Sequence, residues 1–148
     1  MNRQEVRVRV KEAMDEAIGE HGYVSPLQVL IRLQVVSPKS VEDWRAGRIL
    51  ALERVAHMNL SKLNALLDVM KELATLMDLT PSWTAYQRKT RGGRMRLRFS
   101  KSGDPNTERK YSTHFVSRQL RAAKRAAKFR DGDAGHTDVG PSSDDDAV

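Results

Sequence analysis

Apolar residues recur at helical spacing in the first half of the chain and alternate at strand spacing in part of the second. Val6, Val10, Ala13, Ala17 and Ile18 return every few positions with charges between them, which predicts a helix over residues 3–20. Val6, Val8 and Val10 also alternate, so a short opening strand is a second reading of the same residues. Gly19 and Gly22 end the element. Ser25-Pro26 and Ser37-Pro38 repeat one start signal: a capping hydroxyl, then a proline whose missing N–H costs nothing in a first turn. They predict short helices over residues 27–35 and 39–46, the second closed by Gly47. A further helical stretch is expected over 49–57. Asn59 caps the most regular helix, 60–78, where Leu60, Leu63, Leu67, Met70, Ala74 and Met77 share one stripe flanked by Leu66 and Leu73. Leu79-Thr80-Pro81-Ser82 breaks it.

The period changes at Trp83. Thr84 to Arg88 reads as extended, and Arg91-Gly92-Gly93-Arg94 as a hairpin turn, because paired glycines accept positive φ. Met95, Leu97 and Phe99 then alternate with Arg94, Arg96, Arg98 and Ser100, which predicts a strand with an apolar and a guanidinium face. Ser102-Gly103-Asp104-Pro105-Asn106 reads as a turn, and 108–116 as a third strand with Tyr111, Thr113 and Phe115 on one face. Ser117 is placed to cap a last helix over 118–130, and disorder is expected beyond it. The fold class is therefore α+β. A helical domain over 1–82 carries a candidate helix-turn-helix. A region over 83–130 holds a small antiparallel sheet of two or three strands and a basic helix. A disordered acidic tail occupies 131–148.

Charge changes this picture most. Residues 1–85 hold 11 Lys/Arg and 11 Asp/Glu, residues 86–130 hold 15 Lys/Arg against Asp104 and Glu108, and residues 131–148 hold six Asp and no base. A net of +13 within 45 consecutive residues points to a polyanion, nucleic acid being the commonest. Arg94, Arg96 and Arg98 on one strand face would stand about 6–7 Å apart, the spacing of successive phosphates. Arg118, Arg121, Lys124, Arg125 and Lys128 make the last helix cationic. Its other side offers Leu120, Ala123 and Ala127, too little apolar area for a membrane surface. The acidic tail is placed to compete with weak, non-specific binding at that basic surface.

Other chemistry is narrowed by what the residues lack. There is no Cys, which removes disulfides and thiolate metal sites and fits a cytoplasmic protein. No apolar run reaches membrane-spanning length. Ser100-Lys101-Ser102-Gly103 lacks the length and closing residues of a nucleotide-binding loop, and His21, His57 and His136 have no partner at metal-ligand spacing. No metal or cofactor is expected.

Ser37-Pro38-Lys39-Ser40-Val41-Glu42-Asp43-Trp44-Arg45-Ala46-Gly47 resembles the second half of a Cro or phage-repressor type helix-turn-helix: a capping Ser, a Ser-Val pair, a Trp and a closing Gly. The resemblance covers residues 25–57, with 52–55 falling where that family places its next helix. The family's turn Gly is replaced around Gln34-Val35, and Glu42 and Asp43 stand where a DNA reader favours polar or basic groups. The resemblance implies a recognition helix starting at Ser40, with Lys39, Ser40, Asp43 and Arg48 outward; the alternative is that Val41 and Trp44 are simply core residues of a small helical bundle.

The reading is a non-enzymatic nucleic-acid-binding protein, DNA ahead of RNA, acting in transcription regulation. Its contacts are Lys39, Ser40, Arg48, Arg94, Arg96, Arg98, Lys101, Arg118, Arg121, Lys124, Arg125 and Lys128. A rival is a phosphodiester-cleaving enzyme with His114 as acid or base, aided by Lys101 and Arg98. A third reading is an interaction module, and a homodimer through Leu60, Leu63, Leu67, Met70 and Met77 goes with either binding role.

Overall fold

Asn2 accepts a hydrogen bond from the Glu5 N–H and caps α1, Arg3–His21. Val6, Val10, Ala13, Met14 and Ala17 are buried along it while Val8 stays exposed, so the helical period wins over the alternating one. Gly22 ends α1 at φ 80, and its N–H donates to Ile18 O. The computed structural model describes residues 2–131. The expected tail, apart from Asp131, therefore lies outside the described residues.

Both Ser-Pro signals start helices. Ser25 and Gln28 form a reciprocal capping box at the head of α2, Pro26–Arg32, after the short strand β1, Tyr23–Val24. Ser37 caps α3, Pro38–Arg45, by accepting from the Ser40 N–H at 3.0 Å. Helix α2 stops earlier than its apolar run predicts, because Gln34 turns the chain through the left-handed region at φ 61. The helix expected over 49–57 is reduced to a 3₁₀ turn, Leu52–Val55. Its Leu52 and Glu53 N–H groups donate to Arg98 O and Phe99 O, and a backbone committed to a distant segment cannot also close a regular helix. Asn59 caps α4, Leu60–Leu76.

The second half departs further from its pattern. Thr80–Trp83, expected only to break the helix, is β2. Gln87–Thr90 and Gly93–Arg96 form β3 and β4, an antiparallel hairpin turning at Arg91-Gly92, with only Gly93 of the two glycines at positive φ. The strand expected to run on to Ser100 ends at Arg96. Leu97 and Phe99 turn into the core while Met95 stays half-exposed. The third strand expected over 108–116 is mostly helix: α5 spans Pro105–Ser112, and only Thr113–Val116 forms β5. Asp104-Pro105 is the same start signal as the two Ser-Pro pairs, with Asp104 accepting from the Thr107 N–H at 3.0 Å. Ser117 then caps α6, Arg118–Asp131, by accepting from the Leu120 N–H.

Strand β5 is the centre of a three-stranded antiparallel sheet in the order β1-β5-β2. Val116 lies opposite Tyr23 on one side and Thr80 on the other. Sheet and core thus draw on both stretches of chain that meet at residue 82. Helix α4 packs along α1. Leu63, Leu67, Met70 and Ala74 of its stripe are buried, together with Leu66, Val69 and Leu73, which makes a broad core face. Leu60 and Leu76 stay exposed. No helix among the described residues is long and apolar enough to cross a membrane.

Candidate nucleic-acid interface

The β3–β4 hairpin carries the barest cluster of positive charge. Its register sets Lys89 directly opposite Arg94 and Gln87 opposite Arg96. Side chains alternate across a strand, so Lys89, Arg94 and Arg96 share one face. Like charges directly opposed in a ladder repel, and none of these three makes an ion pair with a described residue. All three are exposed, as is Arg91 at the turn. Arg96 lies over the ring of Trp83 at 5.2 Å, and Trp83 is itself half-exposed at the end of β2. This is a cation–π contact that holds the guanidinium against the body of the protein.

The opposite face of the hairpin rests on the end of α3. The Arg88 guanidinium packs so closely on Gly47 that a Cβ there would stand 2.5 Å from its Nε, and Gly47 is also left-handed at φ 83. A larger residue here would strain the backbone and displace the end of the Arg88 side chain. The joint is fixed from below by Trp44. Its ring is fully buried, tilted against Phe99 at 4.8 Å and Tyr86 at 6.0 Å, and its Nε1 donates to Arg98 O at 2.7 Å. Tyr86 leads into β3, Arg98 follows β4, and Trp44 belongs to α3, so one side chain sets the helix against both legs of the hairpin.

On α3 itself the charges are largely balanced. Lys39 and Arg48 both bond to Asp43, at 3.2 and 2.9 Å, and these contacts, Arg48 first, hold the Asp43 carboxyl below the usual carboxylate range. Ser40 is half-buried with its hydroxyl on Ser37. Gln34, between α2 and α3, adopts positive φ at 61.

Arg98 does not join Arg94 and Arg96 on the strand. It lies beyond β4, donating to Ser100 O at 2.9 Å and to Lys101 O. It thereby becomes part of a braced loop. Glu108 accepts from the Phe99 and Ser100 N–H groups and from the Ser100 hydroxyl. Buried Glu53 accepts from the Lys101 N–H at 2.7 Å and the Tyr111 hydroxyl at 2.8 Å. Burial, then the Glu53 carboxylate, raises the Tyr111 hydroxyl above its ordinary range and keeps it a donor. The N–H groups of 99–101 face carboxylates inward, so they cannot cradle a phosphate; the Lys101 side chain points out and is exposed. Sequence reading missed both carboxylates: the partners of Glu53 lie 48 and 58 positions away, while those of Glu108 lie just across the preceding turn.

His114 is buried completely, 2.7 Å from the Tyr86 hydroxyl through Nε2 and stacked on Tyr23 at 5.6 Å. Desolvation lowers its pKa from 6.5 to about 4, so it is neutral at pH 7 and shielded from any phosphodiester. The structure does not bring it together with Lys101 and Arg98, which lie at the surface. The unfolded chain takes up this proton near pH 6.5 and the native state only near pH 4. Stability is therefore full above pH 6.5 and falls as the pH drops through that window, by about 3 kcal/mol if His114 acts alone. Denaturant midpoints at pH 7 and pH 4.5 check this, and His114→Asn should remove that share of the pH dependence.

Helix α6 displays Arg118, Arg121, Arg125 and Lys128 as exposed cations, with Lys124 half-buried and Ala122 and Ala123 exposed. Leu120 seats it on Gly22, where a Cβ would stand 3.0 Å away. The cations thus form two surfaces, the hairpin near the Trp83 end of β2 and α6 near its Thr80 end. Among the described residues no group of three or more His, Cys, Asp or Glu is placed to hold a metal ion. Compared with known proteins, the chain matches no family model, no curated protein and no solved structure.

Proposed function

We propose that this protein binds nucleic acid, duplex DNA ahead of RNA, through the hairpin and α3, and that it serves in transcription regulation. The observation that carries the reading is the hairpin face, where Lys89 and Arg94 stand opposed beside Arg96 and none of the three makes an ion pair with a described residue. A polyanion removes that repulsion and releases its own counterions. Duplex DNA is favoured because the major groove admits an α-helix or a two-stranded ribbon, and here a short helix preceded by a left-handed turn lies beside such a ribbon. Helix α6 adds a cationic grip for the phosphate backbone.

The test is a titration of the full chain against duplex DNA, single-stranded DNA and structured RNA at two salt concentrations. Preferred, steeply salt-dependent duplex binding supports the reading; no binding to any of them at low salt overturns it. The part played by α3 has its own check. Asp43→Asn frees Lys39 and Arg48 from their shared partner. Duplex binding should tighten several-fold at low salt, with a log–log salt slope steeper by about 0.9 for one added phosphate contact. An unchanged slope would remove α3 from the interface.

A further inference from the structure

We propose that the cavity between α6 and the start of β2 is a binding site for a phosphate group, separate from the hairpin. The cavity has a volume of about 290 Å³ and is lined by Asp78, Thr80, Arg118, Arg121, Ala122 and Arg125. Arg118, Arg121 and Arg125 follow one another at intervals of three and four residues, which sets their side chains on one side of the helix. The seat of Leu120 on Gly22 and the Ser117 cap fix the rotation of α6, so this side meets Thr80 and not open solvent alone.

Three arginines and a single carboxylate line the cavity. Asp78 pairs with Arg118 at 2.6 Å, while Arg121 and Arg125 make no ion pair with a described residue. Asp78 is held at φ 57 in the connection between α4 and β2, with its N–H on Thr75 O, so the backbone that carries the carboxylate is fixed. It anchors Arg118 at the wall, and among the described residues it pairs with neither of the other two forks. The planar guanidinium fork matches phosphate oxygens bidentately, and Thr80 lines the same cavity from β2. Ala122 between the arginines leaves room that a longer side chain would fill. The volume is at the small end for ligand sites, which suits one phosphorylated group and not a large cofactor.

A phosphate group reaches such a site either as part of a nucleic-acid backbone or on a small free molecule. Thr80 and Trp83 stand about 10 Å apart along β2, so the cavity and the hairpin are distinct points of contact. The experiment titrates full-length protein with inorganic phosphate and with adenosine monophosphate at constant ionic strength, following the Thr80 and Ala122 amide resonances. It is repeated with Arg121→Gln/Arg125→Gln and with Ala122→Glu, which places a carboxylate among the arginines. All three positions are on α6 away from the core.

Saturable shifts that weaken tenfold or more in both variants assign a free phosphorylated ligand. No saturation with the small probes, but a duplex salt slope lowered by about 1.8 in the double variant, assigns backbone phosphate. Neither effect overturns the site. The hairpin reading stands apart, because a variant lacking Lys89, Arg94 and Arg96 charge keeps its phosphate titration whether or not it binds DNA.

Discussion

Trp44→Ala is expected to cost about 3–5 kcal/mol, enough to unfold most or all of a domain of this size at ordinary temperature. The ring is fully buried and touches Tyr86 and Phe99, so its removal leaves a cavity in the middle of the aromatic cluster. The change also strands Arg98 O, which loses the Nε1–H donor at 2.7 Å. Trp44→Phe separates the two effects. It keeps most of the ring contact and loses the hydrogen bond, and should cost about 1–3 kcal/mol. Chemical denaturation followed by far-ultraviolet circular dichroism measures both variants. A folded Trp44→Ala protein with an unchanged midpoint would contradict the role of Trp44 as the joint between α3 and the hairpin.

Replacing Lys89, Arg94 and Arg96 together by Gln should change binding and leave stability nearly level. Binding to duplex DNA weakens, and the log–log salt slope falls by up to about 2.7, at about 0.9 per lost phosphate contact. Relief of the Lys89–Arg94 repulsion across the ladder, about 0.2–1 kcal/mol, offsets the lost cation–π contact of Arg96 with Trp83, about 0.5–1 kcal/mol. A structural role for these residues predicts the reverse: a less stable protein with the slope unchanged. Arg98→Gln is the internal contrast. Arg98 holds the carbonyls of Ser100 and Lys101, so its loss should lower stability and change the slope less than loss of Arg94 does. A folded triple variant with unaltered affinity and slope would remove the hairpin from the binding surface.

Both predictions rest on features that were legible to different degrees. The hairpin turn at Arg91-Gly92 and the outward Arg94 and Arg96 follow from glycine chemistry and strand alternation. The burial of Trp44 follows from its place on the inner face of a short capped helix. Arg98, in contrast, was grouped with Arg94 and Arg96 by period alone. The chain leaves the ladder after Arg96 because Leu97 and Phe99 are drawn into the core beside Trp44 and Tyr111, which the local pattern does not encode. The candidate cavity was legible only as three arginines on one helix; Asp78 and Thr80, which complete it, arrive through the packing of the chain.

By itself the sequence determined the elements whose signals are local. These are α1, the helices α2 through α4 with their Ser and Asn caps, the Ser117 start of α6, the mixed α+β class, and the concentration of positive charge in 86–130. Capping hydrogen bonds and helical periodicity are satisfied within a few residues, so they are written where they act. Only the tertiary structure decided that β5 lies between β1 and β2, that Tyr111 reaches Glu53 from a helix, and that His114 is sealed between Tyr23 and Tyr86. Those outcomes pair residues dozens of positions apart. A strand of two to four residues has too few positions to carry its own period, and its backbone N–H and C=O groups are satisfied by whichever distant segment the core brings alongside.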